Sequence, residues 1–276
     1  MTRRRFIADT WTATTASLTG DQATHLTRVL RAQPGQIYDI VSNGFLHRGE
    51  ITGVSEQRVD FTLHEELSSD AALPLHLLLA IFKFDHMEWA IEKATELGVS
   101  RITPILARRT EKHLAQAALN RSERWRRIVL EASKQSRRTT IPHIANPIVL
   151  KQGLEHEKTP TRILLSETEQ TTTLTDALEN SSSGTNEQEI SNLSTSNKEN
   201  SNPKDRVHSR REARDVNSSP IRITHAIAIG PEGGWTPEEI SLFTQHQWQP
   251  VTLGPRILRA ETAAIAAIAI SSTHLT

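Results

Sequence analysis

Apolar residues along this chain follow two periods. Short, nearly continuous apolar runs stand at Leu75 to Ile81, within Arg101 to Leu106, within Arg162 to Leu165 and at Ala226 to Ile229. Runs of that length without polar alternation predict strands covered on both faces, as in a parallel sheet. A helical period follows the first run: Met87, Ala90, Ile91, Ala94 and Leu97 form one stripe that stops at Gly98, a common helix end. Asp85 is expected to cap this helix, with Glu88 closing a capping box. Strand, helix, strand is a βαβ unit with a right-handed crossover. The next helix is predicted from Ser122 to Gln135, burying Trp125, Ile128, Val129 and Ala132. Pro250 to Leu253 reads as a short strand, and Arg256 to Ala263 leads into a last helix that is Ala and Ile nearly all round. Such a helix is expected to be buried on most faces.

Before Leu73-Pro74 the pattern is different. Gln36 to Val41, a Ser42-Asn43-Gly44 turn and Phe45 to Ile51 predict a hairpin, and Val59 to Leu63 alternates as a half-buried strand does. Asp21 to Leu30 is expected to be a short helix with Leu26, Val29 and Leu30 on one face. His25, Arg28 and Arg31 recur at helical spacing, which by itself describes a solvated face. The expected architecture is a small β-barrel followed by an α/β domain.

The stretch from Ala226 to Glu239 concentrates the most information. A buried strand meets Gly230-Pro231-Glu232-Gly233-Gly234, then Trp235 and the helix entry Thr236-Pro237-Glu238-Glu239. Thr as N-cap, Pro at the first helical position and Glu three residues after the cap form a capping box. Glycine loops between a buried strand and a capped helix are where open α/β sheets take ligands. The loop is neither GxGxxG nor a Walker A, so ordinary dinucleotide and triphosphate readings fail.

Composition narrows the choice. The 276 residues carry a formal net charge of +0 and no Cys. Disulfide frameworks, thiol catalysis and Cys-ligated zinc are excluded, and the reading is a cytoplasmic protein. The longest apolar run, Ala263 to Ile270, is far too short for a membrane span. Charge is uneven, however. Residues 101 to 138 hold eleven Lys or Arg against three Glu, a local excess of +8 that favours a polyanion such as RNA. Residues 180 to 219 contain no aromatic residue and five aliphatic ones, so they are expected to be a disordered insertion within the α/β domain.

With Ser166-Glu167, Gly230 to Gly234 and Gly254 to Glu261 each placed after a buried strand, the motifs IGPEGG and LGPRILRAETA resemble those of the RsmE family. These are 16S ribosomal RNA uracil-N3 methyltransferases of the SPOUT superfamily. Arg4-Arg5-Phe6, His25 with Val29-Leu30-Arg31, Lys83, Asp85, Met87-Glu88, Lys93 to Val99, and Trp125 to Ser136 with Arg138 extend the likeness. The resemblance implies an N-terminal PUA-like β-barrel over 1–72 and a SPOUT domain over 73–276 with a C-terminal trefoil knot. It also implies a homodimer without metal, acting on 16S ribosomal RNA or the small subunit, with S-adenosylmethionine as methyl donor. By motif, donor contacts fall on Leu165, Ser166, Glu167, Ile229, Gly230, Pro231, Glu232, Gly233, Gly234, Leu253, Gly254, Ile257, Leu258 and Thr262. Where relatives often carry His and Pro after the strand ending at Leu165, this chain has Ser166-Glu167. RNA contacts are expected at Arg4, Arg5, His25, Arg28, Arg31, Lys83, Arg108, Arg109, Lys134 and Arg138.

Spacing leaves two readings of Arg259 and Glu261 open: a structural ion pair, or a catalytic pair. In the catalytic reading Arg259 stabilises negative charge developing on the uracil, while Glu261 orients it or serves as base. Competing functions are a non-catalytic RNA-binding or ribosome-assembly protein on the same fold, and methylation at another RNA position.

Overall fold

The computed structural model describes residues 4–69, 71–181 and 222–275. Two sheets organise them. The first contains β1 (Arg5–Ile7), β2 (Thr10–Trp11), β3 (Thr15–Thr19), β4 (Ile37–Ser42), β5 (Phe45–Val54) and β6 (Arg58–Leu67), in the order β1-β4-β5-β6-β3-β2. β1 joins β4 in parallel and the other pairs are antiparallel. Asn43 and Gly44 both take positive φ, 50° and 81°, as a two-residue hairpin requires, and Ser42 pairs with Phe45 across it. Leu18, Leu26, Ile40, Ile51, Val59 and Phe61 fill the core.

The helix expected over 21–30 is corrected. An α-turn, α1 (Gly20–Thr24), passes into a wider π-turn over His25–Val29, closed by Leu30 N–H donating to His25 O at 3.1 Å. The wider turn breaks the 3.6 period, so Leu26 is buried while Val29 is 66% exposed.

The second sheet is built from β7 (Leu73–Ala80), α2 (Phe84–Glu96), β8 (Val99–Leu106), α3 (Lys112–Gln135), β9 (His143–Ile144), β10 (Ile148–Val149), α4 (Leu150–His156) and β11 (Thr161–Leu165). A helix over 174–181 (α5), β12 (His225–Ile229), α6 (Pro237–Gln245), β13 (Gln249–Val251) and α7 (Ala260–Leu275) complete it. The strand order is β10-β8-β7-β12-β11-β13, with β9 on the free edge of β8, and every pairing is parallel. Leu75, Leu77, Leu79, Ile227 and Ile229 pack with Met87, Ile91, Trp125, Ala264 and Ile268. On the opposite face Leu78, Ala80, Ala226 and Ala228 pack with Leu154, Phe243 and Trp248. Covering both faces is why these strands read as nearly continuous apolar runs. No described helix is long and apolar enough to cross a membrane.

Several local expectations are corrected. The N-cap of α2 is Lys83, with no side-chain cap; Asp85 lies inside the first turn, where a negative charge suits the helix dipole. Glu88 turns instead toward α3, 2.7 Å from Arg124 Nε and 3.5 Å from Arg121 Nη1. α3 begins at Lys112, well before Ser122. α7 buries one stripe, Ala260, Glu261, Ala264, Ala267, Ile268 and Ser271, while Ile265, Ala266, Ala269 and Ile270 stay half-buried. Of the segment expected to be disordered, residues 180 and 181 close α5, and 182–219 lie outside the described residues.

Candidate active site

Parallel strands deliver their following loops to one edge of a sheet, the edge where open α/β sheets hold ligands. The loops after β11 and β13 are laced together there. Ser166 N–H donates to Val251 O at 3.0 Å, Thr252 N–H to Thr172 O at 2.9 Å, and Leu174 N–H to Thr252 O at 3.0 Å. The β11 loop also braces itself: Glu169 Oε1 accepts from the Thr171 hydroxyl and from the N–H groups of Gln170, Thr171 and Thr172. The Thr171 hydroxyl and these N–H groups hold the Glu169 carboxyl down at about 2. After β13, Thr252 Oγ1 donates to Gly254 O and accepts from Gly254 N–H, both at 3.1 Å, where Gly254 has φ +106°.

The glycine loop follows β12 as expected. Gly234 N–H donates to Pro231 O at 2.8 Å, closing a turn with Gly234 at φ +69°. The capping box is formed: Thr236 N–H donates to Glu239 Oε2 at 2.8 Å, and Glu239 N–H to Thr236 Oγ1 at 3.3 Å. A Cβ added at Gly234 would lie 3.9 Å from Glu167 Oε2 and 3.9 Å from Arg109 Nη1. Residues following β8, β11 and β12 therefore meet at this point.

Arg259 and Glu261 are not brought together as an ion pair. Arg259 is exposed. Glu261, 4% exposed, faces α2, with Oε1 3.5 Å from His86 Nδ1. His86 Nε2 in turn lies 3.8 Å from Asp85 Oδ2. The α7 backbone explains the split, because successive side chains around a helix head point about 100° apart.

The site suits a ligand of mixed character. Leu165 and Leu253 are partly buried against the core and Ile257 is 85% exposed, so apolar surface lines the loops. Trp235 Nε1, beside Gly230, and Glu261 Oε2 are buried polar atoms without a hydrogen-bond partner among the described residues. No cluster of metal-ligating residues stands among the described residues.

The expected RNA contacts fall into three groups. Arg4, His25, Arg28, Arg31, Lys83 and Arg108 are exposed, with Arg28 only loosely paired to Glu56 at 3.6 Å. Arg5 donates to Arg137 O, and Lys134 to Glu131 at 2.8 Å. Arg109 donates to Gly233 O of the glycine loop. Arg138 is a correction. Its guanidinium turns inward and donates to Thr95 O at 2.7 Å and Val99 O at 2.9 Å, and burial pulls it down to about 10. The basic excess of α3 is also partly neutralised, by Glu88 for Arg121 and Arg124 and by Glu123 for Arg126 and Arg127. Sequence reasoning missed His86 and the bond by which Glu239 Oε1 accepts the N–H of Arg108 at 2.8 Å. No pattern in the chain announces a contact between positions 86 and 261, whereas Glu239 was legible only as a cap.

Comparisons with known proteins agree with this geometry. A family model described as an RNA methyltransferase domain matches residues 69–194 and 201–272, and one described as an RNA methyltransferase PUA domain matches 18–63. Ribosomal RNA small subunit methyltransferase E of Synechocystis sp. is 32% identical over 257 residues, 92% of this chain and 72% of that protein. Its namesake in Bacillus subtilis is 31% identical over 264 residues, 94% of this chain and 90% of that protein. Among solved structures, a ribosomal RNA small subunit methyltransferase E from Neisseria gonorrhoeae bound to S-adenosyl methionine superposes with a TM-score of 0.71 at 26% identity. The match covers 99% of this chain and 98% of that one.

Proposed function

Because this chain belongs to the ribosomal RNA small subunit methyltransferase E family, we propose that it methylates N3 of one uridine in 16S ribosomal RNA, using S-adenosylmethionine. The observation that carries this reading is the meeting of the loops after β11, β12 and β13 at one sheet edge. In it, Leu165, Gly230 to Gly234, Leu253, Gly254, Ile257 and Leu258 hold the donor, mostly through backbone groups. When bound, S-adenosylmethionine supplies an electrophilic methyl group.

The chain's own task is to present a nucleophile. Uracil N3 carries a proton and is a poor nucleophile at neutral pH, so the site must stabilise the base as that proton leaves. In this reading Arg259, exposed at the head of α7, supplies the cation that meets the uracil oxygens. Glu261 is enclosed and paired toward His86, so its proposed part is to orient the α7 head. N3 is occupied in a Watson–Crick pair, and the target base must be unpaired or flipped out. Aligning N3 with the methyl group then supplies much of the acceleration.

The same reading takes 1–72 as a PUA-like RNA-binding unit and 73–276 as the methyltransferase unit. A trefoil knot is supported by the strand order, since β12 inserts between β7 and β11 while β13 returns to the far side of β11. The half-buried apolar face of α7 supports a homodimer. The proposed place of action is the cytoplasm.

Two measurements test the proposal. A map of N3-methyluridine in ribosomal RNA from a deletion strain is expected to lose one site, and an unchanged map refutes the assignment. Arg259→Ala is expected to keep S-adenosylmethionine affinity by calorimetry while turnover falls by about 100-fold or more. Equal loss of both would make Arg259 a structural residue.

A further inference from the structure

The glycine at position 233 is not explained by its own backbone. Gly234 and Gly254 have positive φ, but Gly233 is not among the positive-φ residues. What crowds it is another loop. A Cβ added at Gly233 would stand 3.2 Å from Arg109 Cδ and 3.5 Å from Arg109 Cβ. The Arg109 stem thus lies across Gly233, and its Nη1 donates to Gly233 O. Arg109 belongs to the connection between β8 and α3, more than a hundred positions earlier in the chain.

That connection is gripped a second time, from the opposite direction. Glu239 is 2% exposed, and its Oε1 accepts the N–H of Arg108 at 2.8 Å while Oε2 accepts the N–H of Thr236 at 2.8 Å. In a capping box the glutamate normally serves its own helix. Here one oxygen serves the helix that ends the glycine loop, and the other holds the backbone of the loop that carries Arg109. The two contacts are reciprocal: the α6 end anchors the β8 loop, and the β8 loop returns a guanidinium to the glycine loop.

We propose that Arg109 and Glu239 are positioning residues forming a two-point clamp that holds the glycine loop in its donor-binding shape from outside, and that residue 233 is glycine to admit the clamp. The clamp rests on the assignment of the glycine loop to S-adenosylmethionine. It gives Arg109 a different role from the RNA contact expected from sequence. Arg108, its backbone held by Glu239 and its side chain exposed, is left to face the substrate.

The test uses the full-length protein, S-adenosylmethionine affinity by calorimetry, and KM for each substrate. Arg109→Ala is expected to weaken S-adenosylmethionine by about ten-fold, the scale of one charge-assisted hydrogen bond, with KM for RNA unchanged. Arg109→Lys, which keeps a donor, should recover most of that loss. Glu239→Gln, which keeps the shape of the side chain, should weaken the donor in the same direction.

The decisive pair is Gly233→Ala alone and in the Arg109→Ala background. The single change is expected to weaken donor binding, and the double variant to bind no worse than Arg109→Ala. If Gly233→Ala weakens binding by the same factor in both backgrounds, the clamp is wrong while the glycine-loop assignment stands. If Gly233→Ala leaves affinity intact in the otherwise wild-type protein, the clamp is overturned; if the wild-type protein itself binds no S-adenosylmethionine, the glycine-loop assignment fails and the clamp with it. If Arg109→Ala raises only KM for RNA, Arg109 is an RNA contact and the proposal is overturned.

Discussion

The pair most open to a quantitative test lies inside the sheet. His76, on β7, is 5% exposed and Glu157, following α4, is 6% exposed. His76 Nδ1 bonds Glu157 Oε2, His76 Nε2 lies 2.8 Å from Thr103 Oγ1, and Glu157 Oε1 accepts the N–H of Thr159 at 2.9 Å. Burial pushes the Glu157 carboxyl up, but the hydrogen bond to His76 and the Thr159 N–H outweigh it and bring the group from 4.5 down to about 2, while burial holds the His76 imidazole below its ordinary value. A depressed carboxyl contributes stability that is fully present above its unfolded value and is lost as pH falls through the folded one. The window here runs from 4.5 down to about 2. At about 1.4 kcal/mol per pH unit, the carboxylate contributes up to about 3 kcal/mol at neutral pH.

Glu157→Gln removes the titration while keeping the side-chain shape. Urea unfolding of both proteins at pH 7, 5, 4 and 3 is the assay. The variant is expected to be less stable at pH 7 by about 1–3 kcal/mol, since a bond to a charged group is lost from a buried site. Between about pH 5 and 3 the gap should narrow steadily, because only the wild-type protein loses the Glu157 carboxylate there. A gap that is constant between pH 5 and 3, or that widens over that interval, refutes the reasoning.

Two other changes test the packing. Arg138→Ala withdraws both donors from Thr95 O and Val99 O, and its melting is expected to show a loss of about 2 kcal/mol with S-adenosylmethionine affinity unaltered. Gly49→Ala places a Cβ against Ile40 Cγ1 inside the first sheet, and chemical denaturation should show a loss of about 1–3 kcal/mol from overpacking. Unchanged stability in either case would remove the structural role assigned to that residue.

Much of the α/β unit was legible because its signals are local. Burial on both faces writes nearly continuous apolar runs at β7 and β12, and Thr236-Pro237-Glu238-Glu239 encodes its own helix start within four residues. Where local rules failed, a distant partner had intervened. Glu88 matched a capping box with Asp85, yet arginines on α3 drew it away. Arg138 matched an exposed cation by composition, yet one carbonyl group in the last turn of α2 and one at the start of β8 took its guanidinium. The π-turn after α1 shifted a helical stripe that the 3.6 period placed correctly only as far as Leu26.

The sequence by itself determined the strongly patterned elements β7, α2, β8, β11, β12 and α7, that these strands form a parallel sheet, and that the glycine loop ends in a capped helix. Periodicity and capping act between near neighbours, so they leave their trace in the order of residues. The tertiary structure alone decided the strand order that inserts β12 between β7 and β11, the turn of Glu261 toward His86, and the passage of Arg109 over Gly233. Those contacts join positions far apart in the chain. Their energies depend on three-dimensional approach and burial, and no spacing along the chain carries that information.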